Sequence, residues 1–377
     1  MSTHNKRYSN IAFTLIILIS TILLSVLPTG FENPILLRNK EHVKSTVIKT
    51  NNDDLNNYGV VTVGTQDLQL VLESGDFKGD TVDAHNVLLG QKKLDKIFAK
   101  GDKVLTIVQT SDTGDKVISA RADDHYRIHI EWILLALFAL FLVGFAGITG
   151  FKALLSFLFT ALALWKILIP LLLKGFSPII ASFGIVILTT TVIIILINGF
   201  SKKGIVALSG SITGVGITTL LALVFGHFFK IPGTVQEFSE TLLYTGNTHL
   251  NLSDIFISCI FIAAAGAVMD VAMDIAAAQH EVLDNHPTIN TKELIKSGFN
   301  VAYPVIGTMT TTLLFAYSGS FMFVFMVFMA KGTPMISIFN TNYIAAEVLH
   351  TLVGSFGLVL VAPITAIIGG VMYVKNR

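Results

Sequence analysis

Long apolar runs and short alternating ones divide this chain. Eight apolar stretches approach or exceed the roughly 20 residues that a bilayer crossing needs. They lie at 11–28, 131–149, 153–173, 178–198, 204–228, 254–278, 301–329 and 344–374. The last two are long enough to tilt or to run past a membrane. Between the first and second stretches the pattern changes. Residues 31–58 are polar, carry Asn51-Asn52-Asp53-Asp54, and read as a stalk or linker. Short β-type runs follow at 60–63, 68–73, 81–88, 104–109 and 116–121. Turn signals separate them, among them Ser74-Gly75-Asp76, Lys78-Gly79-Asp80, Lys100-Gly101-Asp102 and Thr113-Gly114-Asp115. A small barrel or sandwich fits, similar in pattern to an oligonucleotide/oligosaccharide-binding barrel. The expected fold is mainly α: a polytopic membrane helix bundle of about eight spans with a small extracytoplasmic β-rich domain. The expected divisions are an N-terminal membrane anchor at 1–29, a linker at 30–58, the β-rich domain at 59–128 and a seven-helix membrane domain at 129–377.

Composition agrees with a membrane protein. Of 377 residues, 52% are hydrophobic and 14% are charged, against about 25% charged in soluble domains. Mean hydropathy is +0.69. A net charge of +1 argues against nucleic acid as a partner. The single cysteine, Cys259, excludes an intrachain disulfide and reads as a small buried apolar residue. The first apolar stretch follows Lys6 and Arg7. No small-x-small cleavage site follows Leu27-Pro28-Thr29-Gly30, so it reads as an uncleaved anchor. Basic residues of short loops set orientation. With the N-terminus inside, the inner side collects Lys6, Arg7, Lys152, Lys202, Lys203, Lys292, Lys296, Lys375 and Arg377, and the outer side only Lys174, Lys230 and Lys331. Both termini are therefore expected in the cytoplasm of a cell whose plasma membrane holds the chain. Residues 30–130 are expected outside.

The candidate chemistry sits where charge is most costly. Asp270 and Asp274 interrupt the apolar run 255–278. A charged side chain near the bilayer centre costs at least about 2.5 kcal/mol on insertion scales. Four-residue spacing turns both onto one helical face, about 6 Å apart along the axis. Ala263, Gly266, Ala267 and Ala277 lie on or beside that face and favour close helix approach. The carboxylates are thus expected to point into protein or a wet cavity. The next span opens with Asn300, Tyr303 and Pro304 and continues through Thr308 and Thr311. A hairpin through a cytoplasmic loop at 279–300 would bring these oxygens to similar depth as the Asp pair. Such groups suit a proton or a hard cation. Glu347, His350 and Thr351 form a second polar patch on one helical face, expected near the outer surface. The packing alternative is equally concrete: carboxylates can fix helix contacts, and threonine hydroxyls can bond back to their own helix. Met269 and Met273 read as core fillers. His280-Glu281-Val282-Leu283-Asp284 lacks the second histidine of a zinc-binding His-Glu-x-x-His helix. No metal or cofactor is expected.

Several stretches carry a family resemblance. They are Leu173-Lys174-Gly175-Phe176-Ser177-Pro178, Asn198-Gly199-Phe200-Ser201-Lys202 and Gly266-Ala267-Val268-Met269-Asp270-Val271-Ala272-Met273-Asp274-Ile275-Ala276. Gly307-Thr308-Met309-Thr310 and Leu352-Val353-Gly354-Ser355-Phe356-Gly357-Leu358 complete the set. Over roughly 131–372 the chain resembles the YibE/F-like family of bacterial multi-pass membrane proteins. The anchor and outer domain match the longer, YibE-like member type. The resemblance implies a polytopic membrane protein whose partner is a paired membrane protein of the same family. It implies no catalytic residues.

Two functions remain open on these grounds. One is a permease or secondary transporter that uses the intramembrane carboxylates for a proton or cation. The other is a non-catalytic assembly, sensing or accessory subunit whose outer β-domain binds a partner or envelope component. No Walker A sequence is present. An intramembrane aspartyl protease needs carboxylates converging from separate helices, and this pair shares one, so no enzyme is expected.

Overall fold

The computed structural model describes residues 3–31, 39–111 and 113–375. Two compact units emerge, Phe31–Phe141 and the combination of Met1–Gly30 with Leu142–Arg377.

The first unit is built on six strands: β1 (Lys40–Asn51), β2 (Leu55–Tyr58), β3 (Val61–Leu72), β4 (Thr81–Leu89), β5 (Lys103–Thr110) and β6 (Val117–His125). Their order is β1-β5-β6-β4-β3-β2, and β1 also pairs with β3. Five strands thus close into a ring, with β2 added to β3 as a hairpin. The β4–β6 pairing is parallel and the others are antiparallel. The expected β-type runs fall in β3 to β6, the first two within β3 alone. The expected linker at 30–58 is corrected: 40–51 and 55–58 are strands, and β1 closes the barrel. Residues 32–38 lie outside the described residues.

Alternation fills the barrel. Val43, Val47, Leu68, Leu70, Leu72, Ala84, Val104, Val108, Ala120 and Ala122 are buried. Ser45 also points inward, where its hydroxyl meets that of Thr106. Phe98 plugs the interior, and the buried Gln66 amide holds it. Gln66 Nε2 donates to Phe98 O (2.8 Å), while Phe98 N–H (3.0 Å) and Asn86 Nδ2 (3.1 Å) donate to Gln66 Oε1. A polar group buried this deeply must find partners. At the β3 end, Glu73 pairs with Lys44 at 2.9 Å and accepts bonds from Lys103 and Thr46. Gly75, with φ +85°, makes the following turn, and a Cβ there would strike Glu41 and Val43.

The second unit is helical: α1 (Thr3–Val26), α2 (Ile128–Ala163), α3 (Ile169–Leu173), α4 (Pro178–Asn198), α5 (Lys202–Phe229), α6 (Ser239–Tyr244), α7 (Leu252–Asn285), α8 (Thr291–Ser318), α9 (Met322–Ala330), α10 (Met335–Phe339) and α11 (Asn342–Lys375). α2 begins within the first unit's residues. Among the described residues, seven helical segments are long and apolar enough to cross a membrane. One of them, Ile128–Leu173, runs 46 residues through a π turn at Leu164–Leu168, about twice a single crossing. It covers two expected spans, and its non-helical residue is Gly147 (φ 55°, ψ −129°), not the expected 150–152. The expected span 301–329 is likewise interrupted by a 3-10 turn at Gly319–Phe321.

α5, α7, α8 and α11 form the packed centre. Glycines let α5 and α11 meet closely: a Cβ at Gly210 would strike Thr365, and one at Gly357 would strike Thr218. α1 packs through Ile17 with Leu155, Phe159, Val192 and Leu196. Asn10 Oδ1 accepts from Phe200 N–H at 3.2 Å, and Lys166 Nζ donates to Leu27 O at 2.9 Å.

Candidate functional site

The Asp pair sits on α7, which Asn251 caps by accepting from Asp254 N–H at 3.1 Å. One face of α7 is fully used. Val268, Val271, Ala272, Ile275 and Ala276 are wholly buried against the neighbouring helices. Gln279, also wholly buried, donates from Nε2 to Leu294 O of α8 (3.0 Å) and to Ala366 O of α11 (2.8 Å). Tyr373 Oη donates to Ala276 O at 2.9 Å, and its ring stacks on His280. These contacts fix the rotation of α7 about its own axis.

That rotation turns Asp270 and Asp274 outward. Both are exposed on this chain's surface, along with Ala263 and Gly266. A Cβ added to Gly266 would meet nothing within 4 Å. The expectation that the carboxylates point into protein or a cavity is therefore corrected for the single chain. Among the described residues neither carboxylate has a hydrogen-bond or ion-pair partner.

The expected companions on α8 are present but not joined to the pair by hydrogen bonds. Asn300, Tyr303, Thr308 and Thr311 are all exposed, Tyr303 at 69%. Thr308 Oγ1 donates back to Pro304 O (3.2 Å) and Val305 O (3.1 Å), and Thr311 Oγ1 to Gly307 O (3.3 Å). Hydroxyls on an apolar helix take this local option when no other acceptor is near. The expected loop at 279–300 shrinks to 286–290, because α7 runs to Asn285 and α8 starts at Thr291. His280 and Asp284 approach to 3.7 Å across one turn within α7. Met269 and Met273 pack in the core, as expected. Cys259 is exposed, contrary to expectation, because Phe256, Ile260 and Phe261 take the buried side of α7 there.

The second patch behaves in the opposite way. Glu347, His350 and Thr351 lie in the first half of α11, and Thr351 is 9% exposed. Glu347 Oε1 and His350 Nε2 are buried without a hydrogen-bond partner among the described residues. Tyr317, from the end of α8, stacks on the His350 ring at 4.4 Å between centroids. Sequence reasoning missed Tyr317, Gln279 and Tyr373. Gln279 had a signal, being an amide one residue past an apolar run. Tyr317 had none.

The family model described as YibE/F-like protein matches residues 134–375. This chain belongs to the YibE/F-like family. The family match takes in Asp270, Asp274, the α8 hydroxyls and Tyr317 with His350, and it leaves the barrel and α1 outside. Comparison with curated proteins and with solved structures found no match.

Proposed function

We propose that this YibE/F-like protein is one subunit of an oligomeric permease or secondary transporter for a proton or small cation. Asp270 and Asp274 then face a second membrane protein of the same family across a shared path. The observation that carries the reading is the pair's outward position. Two carboxylates on the surface of a membrane-length helix, without partners among the described residues, are costly against lipid. Ala263 and Gly266 beside them admit a neighbouring helix closely. In this reading the chain lies in a bacterial plasma membrane with both termini cytoplasmic and the barrel outside, crosses about eight times, and performs no covalent catalysis.

The test is flux in proteoliposomes with pH- and cation-sensitive dyes, with and without the paired family member. Asp270→Asn and Asp274→Asn should each abolish flux while the protein stays folded. Unchanged flux in both variants sinks the reading.

A groove of about 330 Å³ on the barrel favours a second reading, the accessory or sensing subunit. Lys49, Asp67, Gln69, Asp83 and His85 line it from β1, β3 and β4. Removing 40–125 and splicing the ends takes out the whole barrel. A permease should keep its flux after that deletion, and an accessory subunit should lose its partner.

A further inference from the structure

The Glu347–His350 patch has chemistry that the permease reading does not use. Its spacing is Glu-x-x-His on one helix, which presents a carboxylate and an imidazole on the same face. Both Glu347 Oε1 and His350 Nε2 are buried and lack a hydrogen-bond partner among the described residues. Buried polar atoms are normally satisfied, so two unsatisfied ones three residues apart on one helix mark a place where something else binds. Tyr317 lies in the same region, its ring against that of His350. Thr351, one turn on, lies on the same face of α11. Stacking against Tyr317 fixes the plane of the His350 ring. Ring orientation decides whether an imidazole nitrogen can ligate.

We propose that Glu347 and His350 bind one first-row divalent metal ion, with Tyr317 as the neighbouring oxygen. The imidazole nitrogen selects against alkali and alkaline-earth cations, which prefer all-oxygen shells. Two firm protein ligands leave coordination positions open for water or for a further oxygen. The Asp pair on α7 is not part of the site, so the proposal stands whether or not the chain transports anything.

Purified full-length protein in detergent, titrated with Co²⁺ and read by visible ligand-field absorption, tests it. The wild type should bind one equivalent with a spectrum that Mg²⁺ does not displace and Zn²⁺ does. Glu347→Gln and His350→Gln should each weaken that binding about tenfold or more. Tyr317→Phe keeps the stacked ring and hence the fold, and should shift the Co²⁺ spectrum. His42→Gln, at an exposed position of β1, should leave the Co²⁺ affinity and spectrum as in the wild type. Equal Co²⁺ affinity and spectrum in wild type, His350→Gln and Tyr317→Phe would mean surface histidine binding only and overturn the proposal. Displacement by Mg²⁺ as readily as by Zn²⁺ would overturn the assignment of His350 as a ligand.

Discussion

The acids of the barrel and the acids of the membrane helices have opposite neighbourhoods. In the barrel, Glu73 is held by Lys44 and Lys103, Asp124 by Lys96 and Arg127, and Asp67 by His85. In the apolar stretches, Asp270, Asp274 and Glu347 have no cation beside them among the described residues. The barrel's pairs are internal and contribute to its own stability. The membrane acids contribute little that a single chain can use, although their placement is the more costly one. Charge that does not serve the fold is where function is to be sought.

The contrast yields a ranked set of expected outcomes. The largest concerns neither set of acids. Gly357→Leu places a side chain where Thr218 already lies. The α5–α11 crossing then opens, at a cost above about 3 kcal/mol, the upper range for overpacking. Size-exclusion chromatography should show no monodisperse protein. Next comes Gln66→Ala, which strands the Phe98 N–H and C=O inside the barrel and leaves Asn86 Nδ2 only its bond to Lys96 O. A loss of about 3 kcal/mol is expected, seen as faster hydrogen exchange in β3 and β5 with the helices unchanged.

Acid should act on the barrel through its pairs. Lys103, then Thr46 and Lys44, lower the Glu73 pKa from 4.5 to about 2. For Asp124, burial pulls upward, but Lys96, Arg127 and the His125 N–H outweigh it and bring the pKa from 3.8 to about 2. A depressed folded-state pKa adds stability that is present above the unfolded value and fades as pH falls through the folded one. The barrel should therefore loosen between about pH 4.5 and 2. Glu73→Gln should flatten that dependence in exchange measurements on the full chain. A Glu73→Gln barrel with the same acid profile would break the contrast.

The smallest effect sharpens it most. Asp270→Asn and Asp274→Asn should shift the thermal midpoint of the solubilised single chain hardly at all, within the roughly 0.5 kcal/mol typical of surface changes. A large destabilisation would show that the pair packs the fold after all.

How far the sequence could be read follows the same divide. Strands β3 to β6 were legible because apolar residues alternate between turn signals. β1 was hidden because its alternation carries a serine inward, at Ser45, among lysines and threonines. The hydroxyl of Thr106, 61 residues away, and the carbonyl of Val104 make that position acceptable. β2 has no buried residue, since it only extends β3 at an edge. In the helices, length and hydropathy located the segments. They could not give the direction of a face, because lipid and core both accept apolar residues. Spacing put Asp270 and Asp274 on one face, yet the outward turn of that face depends on Gln279, Leu294 and Ala366, which belong to three helices. The α7 helix outlasted its apolar run because Val282 and Leu283 still find core contacts.

The ring closure of the barrel has a consequence in time. β1 must pair with β5, across positions such as Ser45 and Val104, and β5 is made some 50 residues later. The local β3–β4 hairpin can form at once. Pairings distant along the chain form late, so a growing or truncated chain ending after β4 displays β1 and β4 as open strand edges. Open edges recruit other chains. A truncation there should therefore yield aggregated protein, whereas one placed before β1 leaves no strand to misassociate. The fifth and sixth strands complete the barrel, and they also make its earlier part safe to expose.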